Sequence, residues 1–161
     1  RLALIDIEGA VHALNLDEGA TDENVGQLPV RPGVVAFGPD AQRIASAALE
    51  SFFNLSQRWG LSATQERKLL GNPPESTFYK WKAERTARRL GRDVLDRISY
   101  LLGIYKALNM LLPSPRAADE WVKKPNRAPL FQGKSALERM LGGGVVDLAD
   151  VRRYLDAQRG L

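Results

Sequence analysis

Five polar side chains lie close together in a strongly basic segment, and their types suit contacts with nucleic acid. They are Ser76, Thr77, Lys80, Lys82 and Arg85. Lysine and arginine bind backbone phosphates, whereas short hydroxyl side chains contact both phosphates and base edges. Residues 67 to 92 contain eight basic and two acidic residues, a net charge of +6. The pattern indicates a DNA-binding surface, and the alternative is a solvated helical face.

Two short helices around a turn are predicted to position these side chains. Ser62 and Gln65 have the spacing of a capping box, so the first helix begins just after Ser62. Gly71 can take the left-handed conformation that ends a helix. The segment Asn72-Pro73-Pro74 then turns the chain, and the second helix covers residues 76 to 85. This layout is typical of a helix-turn-helix unit whose second helix enters the DNA groove.

The rest of the pattern is helical as well, and the predicted fold class is all-α. Apolar residues recur every three or four positions along residues 93 to 112, which predicts a central core helix. We divide the chain into an extended N-terminal arm (1–39), a helix-turn-helix region (40–92) and a C-terminal helical region (93–161). Shorter helices are expected after Pro115, after Ser135 and near the C-terminus.

Composition argues against several classes of function. The 161 residues include no cysteine and one histidine, His12, which has no partner at a catalytic or metal-ligand spacing. Acidic residues mostly lie four positions from a base, as Asp93 does from Arg97, which is typical of pairing on a helix surface. No segment is long and apolar enough to span a membrane. We therefore predict a cytoplasmic protein that is not an enzyme and needs no cofactor or metal.

The arm differs in charge from the basic segment. Residues 1 to 40 hold two basic and seven acidic residues, a net charge of −5. The arm is read as extended or as a short hairpin, and the alternative is a flexible leader. A further hypothesis makes it an inhibitory element that covers a basic surface of a partner or the DNA-binding face of this chain. Because residue 1 is Arg rather than Met, we expect residues upstream of it.

The segment from Trp121 to Leu155 carries the most specific pattern in the chain. Its residues Pro125-Asn126, Pro129-Leu130-Phe131 and Gly133-Lys134-Ser135-Ala136-Leu137 resemble the "P-N-x-x-L-F-x-G-x-x-P-L" signature of the MbcA/ParS/Xre antitoxins, with Ala136 in place of the usual Pro. The resemblance begins at about Leu61 and includes the helix-turn-helix. Two features differ: Arg67 or Lys68 stands where the family has a small residue, and the turn is one residue longer.

The resemblance implies an antitoxin of a type II toxin-antitoxin system. Such proteins neutralise RES-domain toxins, which degrade NAD or transfer ADP-ribose from it, and they repress their own operon. The implied partners are a RES-domain toxin and operator DNA, with a homodimer inside the toxin-antitoxin assembly. The alternative is a free-standing transcriptional regulator whose C-terminal region dimerises. The implied toxin-binding residues are Trp121, Asn126, Leu130, Phe131, Gly133, Lys134, Arg152, Arg153 and Arg159.

Overall fold

The structure is a computed structural model that describes residues 39–160. These residues form seven helices, numbered here in chain order: α1 Pro39–Trp59, α2 Ala63–Leu69, α3 Glu75–Glu84, α4 Arg92–Leu111, α5 Pro115–Trp121, α6 Ala136–Met140 and α7 Val145–Gln158. Residues 39–160 contain no strand, although Pro125 and Ser135 form one antiparallel bridge. The predicted all-α class is confirmed. The predicted arm lies outside the described residues, apart from Pro39.

Helix α4 is the centre of the fold, as its broad apolar stripe predicts. It packs against α1, α5 and α7. Ile98, Leu101, Leu102 and Leu108 are buried in the shared core, and burial of such side chains is the main stabilising term of a helical domain. Within residues 39–160, none of the helices combines the length and hydrophobicity needed to cross a bilayer.

Helix α1 is the long helix on which the helix-turn-helix rests. Its apolar face buries Leu49, Phe52 and Phe53, and the two phenyl rings meet edge to face with centroids 5.1 Å apart. At its C-terminal end Arg58 pairs with Asp119 of α5 at 3.4 Å. Burial raises the pKa of the Asp119 carboxyl, and the Arg58 charge opposes that rise. Helix α1 is therefore bound to both halves of the fold.

The turn between α2 and α3 needs two residues in the left-handed region. The capping box of Ser62 and Gln65 is present and starts α2 at the predicted place. Gly71 has φ +89° and the next residue, Asn72, has φ +56°, so the chain reverses within two residues. Pro74 is the N-cap of α3, so α3 begins at Glu75, one residue before the predicted start. The helix-turn-helix predicted from the sequence is confirmed.

The C-terminal helices form the second half of the fold. Ser135 caps α6, because its hydroxyl accepts a hydrogen bond from the backbone N–H of Glu138. A glycine turn at residues 142 to 144 leads into α7, whose Leu148, Val151 and Leu155 are buried against the core. Helix α7 thus packs along α4 and also against α6.

Candidate DNA-binding and toxin-binding surfaces

The recognition helix α3 has one buried face and one exposed face. Phe78 is buried and its ring lies 6.2 Å from that of Phe53 on α1, while Trp81 is partly buried against the same core. Ser76, Tyr79 and Lys80 are exposed on α3. The apolar residues orient the helix, and the exposed residues are available to a ligand.

Lys82 is part of a charged contact inside the helix-turn-helix. Its Nζ lies 2.7 Å from Oε1 of Glu66 on α2, and the other carboxylate oxygen accepts a hydrogen bond from the Ser56 hydroxyl at 2.7 Å. Glu66 is 3% exposed. A buried carboxylate requires such partners because water cannot solvate it. The structure therefore places Lys82 in the contact that joins α3 to α2 and α1.

Arg85 has a similar internal role, one turn further on, where it follows the last residue of α3. It ends the helix with φ +52°, and its guanidinium donates to Glu50 at 3.2 Å and to Asn54 at 3.0 Å. The same group lies over the ring of Phe53, 5.6 Å from the centroid. Of the five predicted DNA-binding residues, Lys82 and Arg85 make contacts within the fold, and the Lys82 side chain is at the same time 42% exposed. Ser76 and Lys80 are exposed and Thr77 is partly exposed.

Arg97 joins the helix-turn-helix to the C-terminal helices. The exposure that its sequence pattern predicts is wrong. Its spacing from Asp93 predicts a position on the helix surface, yet Arg97 is only 8% exposed. Its Nε donates to Asp93 at 2.9 Å and its Nη2 donates to the carbonyl of Gly143 at 3.0 Å. The guanidinium also lies close to Gly71, where a Cβ would come within 2.9 Å of Nε. The turn before α3 and the turn before α7 are both packed against one side chain.

Three aromatic rings link the loop after α5 to the last helix. The Phe131 ring meets Trp121 and Tyr154 edge to face, at 5.8 and 5.1 Å between centroids, and Trp121 stacks on Tyr154 at 6.5 Å. Phe131 is 2% exposed, so its ring is not accessible to a partner. Trp121 and Tyr154 remain partly exposed. Phe131 therefore supports this surface from beneath, and the other two rings form part of it.

Backbone hydrogen bonds hold the loop between α5 and α6 in a compact shape. The Asn126 side chain accepts from the N–H of Ala128 at 2.9 Å, and its backbone pairs with Lys134 and Gly133. Gly133 has φ +83°, as a glycine turn at this place requires. Asn126 is thus engaged in loop structure, while Gly133 and Lys134 are exposed at the tip.

The three predicted arginines of the last helix differ in exposure. Arg153 is 79% exposed and pairs with Asp150 at 3.2 Å, three residues before it. Arg152 and Arg159 are 31% and 25% exposed, and both pair with Asp156. Surface pairs of this kind contribute little to stability, so Arg153 can exchange its partner at small cost.

Arg139 is a residue of this region that the sequence analysis missed. It lies 3.5 Å from Asp147 and 3.2 Å from Asp150, and it donates to the carbonyl of Leu130 at 3.4 Å. These contacts join α6, α7 and the loop.

No group of side chains in residues 39–160 has the composition of a metal site.

Two family models match this arrangement. Residues 39–103 match the antitoxin Xre-like helix-turn-helix domain, and residues 107–160 match the antitoxin Xre/MbcA/ParS C-terminal toxin-binding domain. The two matched ranges meet inside α4, which contributes to both. The fold and its two domains define an antitoxin, a helix-turn-helix protein with a toxin as its partner and DNA as its ligand.

A relative matches most of this chain. The chain is 48% identical over 121 residues to the protein named Uncharacterized protein y4oB of Sinorhizobium fredii (strain NBRC 101917 / NGR234). The match covers 75% of this chain and 90% of that protein. The chain belongs to the Xre/MbcA/ParS antitoxin family, as the resemblance of its C-terminal signature predicts.

Proposed function

We propose that this protein is a type II antitoxin that neutralises a RES-domain toxin and represses its own operon. The observation that carries the proposal is the joining of an antitoxin helix-turn-helix domain and a toxin-binding domain through one shared helix, α4. In this proposal the toxin is an enzyme that degrades NAD or transfers ADP-ribose from it. The antitoxin acts by covering the NAD cleft, without chemistry of its own.

The toxin-facing surface is proposed to combine the loop after α5 with the exposed side of α7. Its accessible members are Gly133, Lys134 and Arg153, with Trp121, Leu130 and Arg152 partly exposed beside them. Large aromatic and arginine side chains are the residue types that contribute most at protein interfaces. In the proposal, Asn126 and Phe131 keep the loop in shape, and Arg159 lies at the C-terminal end of the surface.

The DNA-facing surface is proposed to be the exposed side of α3. Ser76, Thr77 and Lys80 contact the groove and the phosphates, while Lys82 and Arg85 hold α3 in place through Glu66 and Glu50. A homodimer would place two α3 helices on successive half-sites of an operator.

Co-purification tests the proposal directly. The protein is purified from its native host with its natural partners, and the preparation is assayed for a RES-domain protein and for NAD loss after the partners are separated. We expect a RES-domain partner whose NAD loss stops when the protein is added back in equimolar amount. Operator binding without any effect on NAD loss would instead favour a free-standing regulator.

A further inference from the structure

Tyr79 is an exposed aromatic residue on the recognition helix. It is 50% exposed, and within residues 39–160 it shares such exposure with two other large hydrophobic residues, Met110 and Val146. A lone exposed apolar residue needs no explanation by itself. Tyr79 differs from the other two because the Phe78 ring contacts it edge to face, with centroids 5.1 Å apart and planes at 66°. The ring is therefore supported from one side and accessible from the other.

The position of Tyr79 on α3 places it beside the residues proposed to contact DNA. Ser76, Tyr79 and Lys80 stand at positions i, i+3 and i+4, which share one face of a helix. All three are exposed, whereas Phe78 lies on the buried face. The N-terminal part of a recognition helix presents this face to base edges in the major groove.

The polar residues of this face do not select thymine. The Lys80 ammonium binds phosphates or the acceptor atoms of guanine, and a serine hydroxyl both donates and accepts. A tyrosine ring adds an apolar surface. The C5-methyl of thymine is the apolar group that the major groove displays, and aromatic or aliphatic side chains contact it.

We propose that the Tyr79 ring contacts a thymine methyl group in the major groove and gives the protein a preference for T·A at one position of each half-site. This inference rests on the proposed operator binding by α3. Ser76 and Lys80 then set the register of the helix on the duplex, and Tyr79 supplies base preference.

Replacing thymine by uracil tests the contact because it removes one methyl group and leaves base pairing unchanged. The duplex used is the tightest sequence that the full chain selects from a randomised DNA library, with each thymine replaced in turn. We expect one position per half-site to lose about fourfold in affinity, the change for burying one methyl-sized apolar group. The other positions should remain unchanged.

Two variants assign the effect to the ring. Tyr79→Ala should bind the thymine and uracil duplexes equally, whereas Tyr79→Phe, the matched control, should keep the fourfold difference. Lys80→Ala should weaken binding to all duplexes and lower the salt slope by about 1, with the methyl preference intact. Thermal melting checks that the variants are folded.

Three outcomes would overturn the proposal. The first is that the library yields no preferred sequence, the second is equal affinity at every uracil position, and the third is a methyl preference that Tyr79→Ala retains. Each of these results would exclude the proposed role of the ring and would leave DNA binding itself intact. Absence of any binding to duplex DNA is a separate result, which would remove the operator-binding function and this inference with it.

Discussion

The guanidinium of Arg152 on α7 lies directly over Gly103 on α4. A Cβ atom at residue 103 would come within 1.8 Å of Arg152 Nη1, far inside van der Waals contact. Glycine inside a helix costs about 0.5–1 kcal/mol relative to alanine, so α4 gives up stability at this point. In return the last helix approaches α4 closely, with Arg152 also paired to Asp156 at 3.3 Å.

This contact predicts a change of sign in a double-mutant cycle. Gly103→Ala should lower the free energy of unfolding by no more than about 1 kcal/mol, because the guanidinium that the new methyl group meets is the far end of a flexible side chain that is 31% exposed. In an Arg152→Ala background the same substitution should be neutral or stabilise by up to about 1 kcal/mol, because alanine favours the helix. Urea unfolding of the four proteins measures both values. An equal loss in the two backgrounds would show that Arg152 does not limit the space at residue 103.

The contact between Lys82 and the buried Glu66 predicts a structural role for Lys82. Lys82→Met should lower the free energy of unfolding by about 1–2 kcal/mol, because the Glu66 carboxylate keeps only the Ser56 hydroxyl as a partner. Lys80→Met is the matched control and should change stability by less than about 0.5 kcal/mol. Urea denaturation of both variants decides the point. If the two variants are equally stable, the contact between Lys82 and Glu66 does not stabilise the fold.

Phe131 is expected to contribute to the stability of the fold and to have no direct contact with the toxin. Phe131→Ala removes a buried ring from the Trp121 and Tyr154 cluster and should cost about 3–5 kcal/mol. Leu130→Ala, at its partly exposed neighbour, should lower the free energy of unfolding by less. This variant should remain folded and bind the toxin more weakly. Denaturant unfolding and a pull-down with the toxin separate the two effects. A stable Phe131→Ala protein that no longer binds toxin would mean that the ring reaches the partner.

Asp119 predicts a specific dependence on pH. Burial raises its pKa above the ordinary value of 3.8, so the folded state disfavours the ionised carboxylate. The stability of the wild type relative to Asp119→Asn should therefore be greatest below pH 3.8 and decline as the pH rises through the raised pKa. A carbon-13 NMR titration measures the pKa, and Arg58→Met should raise it further. A pKa at or below the ordinary value would mean that the positive charges of Arg58 and Lys123 outweigh the effect of burial on this carboxyl.

The helices could be predicted because their signals are local. The capping box of Ser62 and Gln65, the left-handed Gly71 and the apolar repeat of α4 each depend on neighbours within a few residues, and all three appear in the structure.

The environments of charged residues could not be predicted in the same way. Glu66 and Arg97 are charged residues of types that usually lie on the surface, yet both are buried. Their partners Lys82 and Gly143 lie 16 and 46 residues away in the sequence, so local spacing does not predict these contacts. Lys82 and Arg85 look equivalent to Lys80 in sequence, and only the packing of α3 on α1 and α2 separates them. The spacing of residues along one helix does not predict which residues of other helices they contact.

The rate of NAD loss caused by the co-purified toxin tests the central claim most directly. The toxin is titrated with the wild-type protein, with Ser76→Ala/Lys80→Ala on the DNA-facing side and with Lys134→Glu/Arg153→Glu on the toxin-facing side. We predict that wild type and the first variant abolish NAD loss at one equivalent, while charge reversal requires a large excess. If NAD loss continues at its full rate with excess wild-type protein, the chain does not neutralise such a toxin.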